Sequence, residues 1–75
     1  MGVNPAPANE DPLWTTAETA AYLRRPEGTL RQWRHRHFGP KGFRCGGMVM
    51  YRRSEVMRWL AEQEHAEDER IRADA

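Results

Sequence analysis

Between Pro26 and Arg36 the chain reads Pro-Glu-Gly-Thr-Leu-Arg-Gln-Trp-Arg-His-Arg. Thr29, Arg31, Gln32, Arg34, His35 and Arg36 all offer hydrogen-bond donors, and the only large apolar side chains are Leu30 and Trp33. Those two stand one helical step apart, so a helix here turns both inward and presents the donors outward. Arginine and glutamine carry the forked groups that fit guanine and adenine edges in the major groove of DNA. The chemistry implied is recognition, not bond-making. A surface helix with a solvated basic face fits the same stretch, and the rest of the chain has to separate the two.

The net charge of +1 conceals a segregation. Residues 1–23 carry three acids and no base, residues 24–58 carry ten bases against Glu27 and Glu55, and residues 59–75 carry six acids against Arg70 and Arg72. A basic block between acidic ends is the electrostatic footprint of a nucleic-acid binder. Nine of the ten bases in that block are arginine, which forks onto phosphate and guanine where lysine acts as a point charge.

Catalytic and metal chemistry find less support. His35, His37 and Cys45 are possible ligands, with His65 far along the chain, but their spacing matches no structural zinc pattern. Cys45 reads as a small strand residue facing the core, and His35 and His37 as neighbours of solvent or phosphate. No acid stands where it would orient a histidine, and no glycine motif cradles a phosphate. No catalytic residue, metal or cofactor is therefore expected, and the chain reads as a binding module and not an enzyme. One cysteine allows no intramolecular disulfide, which fits a reducing cytoplasm. No apolar run approaches the roughly 20 residues of a membrane span. The first residues have neither the basic start nor the apolar stretch of a signal peptide, so no membrane partner is expected.

The elements that must position these residues follow from local signals. A length of 75 residues allows one small domain with a thin core, to which Trp14, Tyr22, Trp33, Phe38, Phe43, Tyr51 and Trp59 are the candidate anchors. Residues 1–12, with Pro5, Pro7, Pro12 and the Glu10–Asp11 pair, read as a disordered lead-in. Thr15 to Glu18 has capping-box spacing and predicts a helix over 16–23, with Thr16, Thr19, Ala20 and Leu23 on one face. Arg24-Arg25 ends it, Pro26 blocks continuation, and a second helix runs over 27–35. Two short helices joined by so short a turn are a helix-turn-helix. Strands are expected over 43–45 and 48–51, joined by a Gly46-Gly47 turn, with Phe43, Cys45, Val49 and Tyr51 on one side and Arg44, Met48 and Met50 on the other. Ser54 caps a third helix whose Val56, Trp59 and Leu60 close the core. Past Leu60 only Ile71 is large and apolar. With Arg58–Glu62 and Asp68–Arg72 as supporting pairs, that helix should reach the sixties and fray. The domain proper is thus 13–63, followed by a charged extension over 64–75.

Three linked segments carry a family resemblance: Leu-Trp-Thr-Thr-Ala-Glu-Thr-Ala-Ala-Tyr-Leu (Leu13–Leu23), Thr-Leu-Arg-Gln-Trp (Thr29–Trp33) and Gly-Gly-Met-Val-Met-Tyr-Arg-Arg-Ser-Glu-Val-Met-Arg-Trp-Leu (Gly46–Leu60). In this order they resemble the excisionase/AlpA group of small winged helix-turn-helix proteins, which are related to the MerR-type DNA-binding domain. The resemblance implies a mainly α fold with a small β-hairpin: three helices and a two-stranded wing. It also implies a second helix in the major groove of double-stranded DNA, with Thr29, Arg31, Gln32, Arg34 and His35 on or beside the reading face. Arg44, Gly46, Gly47 and Met48 would form the wing, with Arg52 and Arg53 near phosphate and Arg25, Arg36 and Lys41 as further phosphate candidates. The implied role is an excisionase, a directionality factor that bends attachment-site DNA to assist a site-specific integrase, with further copies side by side along the DNA. A small AlpA- or MerR-like transcriptional regulator is the alternative, and a protein-interaction module using the basic face is a third. The chain departs from the pattern at Arg24-Arg25, where relatives carry a glycine and an apolar residue, at Pro26, where they carry a serine-like cap, and at Met48, where many carry a base.

Overall fold

The Thr15–Glu18 capping box starts the fold. Glu18 donates its amide to the Thr15 hydroxyl at 3.0 Å, and the Thr15 amide donates to the Glu18 carboxylate at 2.8 Å. α1 (Thr16–Leu23) therefore begins where the spacing places it. A computed structural model describes residues 11–74. After α1 come α2 (Glu27–His35), two strands of a hairpin and a long final helix, as expected.

Both helices of the helix-turn-helix stop in the same way. Arg24 takes the left-handed conformation at φ 59°; its amide donates to the Ala21 carbonyl at 3.2 Å and the Arg25 amide to the Ala20 carbonyl at 2.9 Å. His37 repeats the arrangement at φ 57°, its amide donating to Arg34 at 3.1 Å and the Phe38 amide to Trp33 at 2.8 Å. These paired bonds satisfy the Ala20 and Ala21 carbonyls of the first helix and the Trp33 and Arg34 carbonyls of the second, in a conformation glycine occupies at less cost. Pro26 then leads into α2 in extended conformation and supplies no side-chain cap.

The sheet has three strands, ordered β1–β3–β2 and antiparallel throughout: β1 (Leu13–Thr15), β2 (Gly42–Cys45) and β3 (Met48–Arg52). β1 was not expected; three residues are too few to show a period of two. Gly46 and Gly47, at φ 58° and 88°, form the tight turn between β2 and β3. That turn also corrects the expected faces. It pairs Cys45 with Met48, so Arg44 lies opposite Val49, Phe43 opposite Met50 and Gly42 opposite Tyr51. Paired residues share a face. Arg44 therefore stands with Val49 and Tyr51, while Phe43 and Cys45 stand with Met48 and Met50. Cys45 is exposed instead of facing the core.

Ala20, Leu30, Tyr51 and Val56 form the buried core with Thr19, whose hydroxyl donates to the Thr15 carbonyl at 2.9 Å. Trp14, Leu23, Trp33, Val49 and Met57 pack around it. Most of the expected aromatic anchors rim this core and do not fill it. Tyr22, Phe38 and Phe43 are exposed. Phe38 meets Trp33 and Trp59 edge-on, with ring centroids 5.2 and 5.8 Å away. Tyr22 lies 5.1 Å from Trp14 and donates its hydroxyl to the Met57 sulfur at 3.4 Å.

α3 (Arg53–Asp74) starts two residues earlier than a Ser54 cap allows. Asp11 supplies the cap from across the fold: its carboxylate accepts from the Ser54 amide at 2.7 Å and from the Ser54 hydroxyl at 2.6 Å. The Pro12 carbonyl accepts from the Arg53 amide at 3.0 Å, and the Asp11 carbonyl from the Arg52 guanidinium at 3.1 Å. Asp11 and Pro12 thus belong to the fold, while the rest of the expected disordered lead-in lies outside the described residues. α3 also continues to Asp74 without the expected fraying, and residues 61–73 are all exposed. Its side-chain pairs differ from those expected: the ion pairs Glu55–Arg58 and Glu67–Arg70, the latter at 2.6 Å, and a His65–Glu69 contact at 3.2 Å. Among the described residues, no helix is long and apolar enough to cross a membrane.

Arg24→Gly should raise stability by about 0.5–1 kcal/mol, because it relieves the left-handed strain against a partial gain in unfolded-chain entropy. A urea midpoint that does not rise would show that the Arg24 side chain offsets the strain. Hydrogen bonds from the Ser54 hydroxyl and amide hold the Asp11 carboxyl below its ordinary value of 3.8. Its stabilising contribution is therefore present above 3.8 and lost as pH falls through the folded-state value beneath it. Asp11→Ala should lower the urea midpoint at neutral pH and flatten its decline on acidification; parallel wild-type and variant curves would contradict this.

Candidate nucleic-acid interface

A cleft of about 630 Å³ opens between the first turn of α1, one flank of α2 and the wing formed by β2 and β3. Thr15 lines it from the end of β1, Thr16 and Ala17 from α1, and Glu27, Arg31 and Arg34 from α2. Arg44, Gly47, Met48 and Val49 line it from the wing, together with Tyr51. Helical spacing explains the α2 contribution, since positions 27, 31 and 34 stack on one side of the helix. Register explains the wing contribution: opposite Val49, Arg44 faces the helices. The Thr16 hydroxyl ties the two walls by donating to the Val49 carbonyl at 3.3 Å.

Three guanidiniums and one carboxylate set the electrostatics of this cleft. Glu27 Oε2 accepts from Arg31 Nη2 at 2.6 Å, across one helical turn. Arg34 is half-buried and acts on Tyr51. Burial pushes the Tyr51 hydroxyl above its ordinary 10.0, and the Arg34 charge opposes that rise. The Tyr51 ring is confined by Gly42 across the strand pair, where a Cβ would come within 2.8 Å of the ring.

The other candidates distribute around this cleft. Gln32, His35 and Arg36 share a second hollow with Arg31 on the outward face of α2. Lys41 and Arg34 line a third, under the loop from His37 to Gly42. Gly46 and Gly47 form the wing turn, and Met48 beside them is 56% exposed. Thr29 is half-buried on the flank of α2 turned away from the cleft. Arg25 is exposed on the turn between α1 and α2. Arg52 lies elsewhere: it lines a hollow with Lys41, Gly42, Phe43 and Glu55, and its guanidinium holds Asp11. Arg53 is exposed at the start of α3. The structure thus brings Arg31, Arg34 and Arg44 together, joins Gln32, His35 and Arg36 to them around α2, and sets Arg52 apart. Among the described residues, no three of His, Cys, Asp and Glu gather as a possible metal site.

Glu27, Thr15, Thr16 and Tyr51 were not among the sequence candidates for this surface. Glu27 had a readable signal, its four-residue spacing from Arg31. Tyr51 had none, because its place in the cleft depends on the strand register.

With Tyr22 replaced by phenylalanine, the remaining phenol should titrate above 10.0, and higher still after Arg34→Ala. Phenolate absorbance reads this directly, and an Arg34→Ala shift downward would separate the two groups. Because the folded-state value is raised, the associated stability is present below 10 and lost as pH rises past it.

A family model described as a helix-turn-helix domain matches residues 15–64. The search of curated proteins and the search of solved structures each returned no match.

Proposed function

Because this chain belongs to the helix-turn-helix domain family, and so to a DNA-binding class of domain, we propose that it reads double-stranded DNA by sequence and without catalysis. The observation that carries this reading is the convergence of Arg31 and Arg34 from α2 with Arg44 from the wing on one open cleft. Charges from two elements on one concave surface suit a duplex, whose phosphates flank the groove that a helix enters. Gln32 and His35 continue the donor surface around α2. Arg31 and Gln32 read base edges; Arg34, Arg44, Arg36 and Lys41 meet phosphate and fix the register.

The role proposed is that of an excisionase-type directionality factor, which bends attachment-site DNA for a separate integrase and sits beside further copies of itself. The sequence resemblance over Leu13–Leu23, Thr29–Trp33 and Gly46–Leu60 supports it. So does the exposed Met48 at the wing turn, since apolar side chains inserted at base steps kink a duplex. A small AlpA- or MerR-like regulator would use the same surface. Footprinting across the DNA adjoining the gene separates the two: protected repeats at an attachment site mean excision, and protection at a promoter alone means regulation. Salt dependence and base sensitivity test the protein-interaction alternative, because a sequence reader loses about 1–3 kcal/mol per wrong contacted base pair.

Arg31→Ala should cost about tenfold in affinity for the preferred duplex and much less for an unselected one. Arg44→Ala should weaken both about equally and reduce the salt slope by roughly one. Equal losses on the two duplexes for Arg31→Ala would remove it from base reading.

A further inference from the structure

Among the described residues lining the cleft, Glu27 is the one carboxylate, and the reading above gives it no task. It is the first residue of α2, the end of a reading helix from which base edges are approached. Its carboxylate instead accepts from Arg31 Nη2 at 2.6 Å, with the Glu27 side chain 42% and the Arg31 side chain 66% exposed. A pair so exposed contributes little to stability, so stability does not explain its place. On affinity alone the placement is unfavourable: a carboxylate among guanidiniums repels every phosphate that approaches.

The carboxylate does two things that a fourth cation cannot. It restrains a long, mobile side chain before DNA arrives, which reduces the ordering cost when Arg31 docks. It also accepts hydrogen bonds only from groups such as the exocyclic amines of cytosine and adenine, which lie in the groove and not along the backbone. We propose that Glu27 is the positioning and specificity residue of this cleft. It holds the Arg31 guanidinium away from the phosphates, so that its free donors meet a guanine edge, and it weakens attachment to DNA of arbitrary sequence. This inference rests on the DNA-reading role proposed above and adds to it which residue sets the discrimination.

The test uses the full chain and two duplexes: one that the wild type enriches from a random-sequence library, and one unselected. Wild type, Glu27→Ala and Glu27→Gln are titrated with each over a range of salt concentrations. Glu27→Ala is expected to bind the unselected duplex more tightly and to lose about tenfold in discrimination. Its salt slope should steepen by roughly one, because a freed guanidinium then neutralises a phosphate. Glu27→Gln keeps an acceptor without the charge, so it should steepen the slope similarly and retain part of the discrimination. A residue that only supported the helix would leave the slope unmoved. If the wild type discriminates and both variants keep its discrimination and slope, or weaken on both duplexes in parallel, the role of Glu27 is overturned while DNA reading stands. If the wild type enriches no sequence, the DNA-reading role falls and this inference with it.

Discussion

Burial of Tyr51 in the central strand is the constraint on which the rest of the molecule depends. β3 is held by β1 on one side and β2 on the other, and Tyr51 is opposite Trp14 in the first pairing and Gly42 in the second. Its ring is buried with Leu30 of α2, Ala20 of α1 and Val56 of α3. One side chain therefore joins wing, helix-turn-helix and closing helix. Tyr51 also lines the cleft, beneath the Arg34 charge that acts on its hydroxyl. If that ring were displaced, the distance between the α2 arginines and Arg44 would no longer be set.

Much of this was legible in local sequence, because local chemistry decides it. The Thr-Thr-Ala-Glu spacing sets the start of α1, Pro26 separates the two helices, and Gly-Gly sets the wing turn; each appears where the residues imply. The failures are all nonlocal. β1 is too short to carry a pattern and exists because β3 has a free edge for it. Asp11 looked like part of an acidic, proline-rich lead-in, yet it caps a helix that begins far along the chain. The two wing strands were each read correctly for alternation but placed in the wrong phase relative to each other. A two-residue turn pairs an odd-numbered residue with an even-numbered one, which puts Phe43 and Cys45 on the face of Met48 and Met50, and Arg44 on that of Val49 and Tyr51. For the interface that last error mattered most, since it set Arg44, already a wing candidate, on the face opposite to Val49 and Tyr51 and not beside them in the cleft.

One departure from the resembling family, the arginine at position 24, also acquires physical content. Arg24 and His37 hold left-handed positions where glycine is favoured, so both helix stops are strained while held by paired backbone hydrogen bonds. The strain at Arg24 sits in the turn between the helices, where an additional guanidinium is exposed beside Arg25. Apart from Glu27, which lines the cleft, most of the acids among the described residues lie beyond Leu60, where the final helix is exposed through residue 73. A helix polar on every side has no face to bury, so its acids stay in solvent.

The central claim is that reading helix and wing meet one duplex across a shared cleft. The most direct test is to follow backbone amide shifts as the full chain is titrated with the duplex it enriches from a random library. The largest changes are expected over Glu27–Arg36 and Arg44–Val49, with Leu13, Arg52 and residues 61–74 little affected. Changes concentrated at Arg52, Arg53 and the exposed end of α3, with Arg31, Arg34 and Arg44 silent, would contradict it.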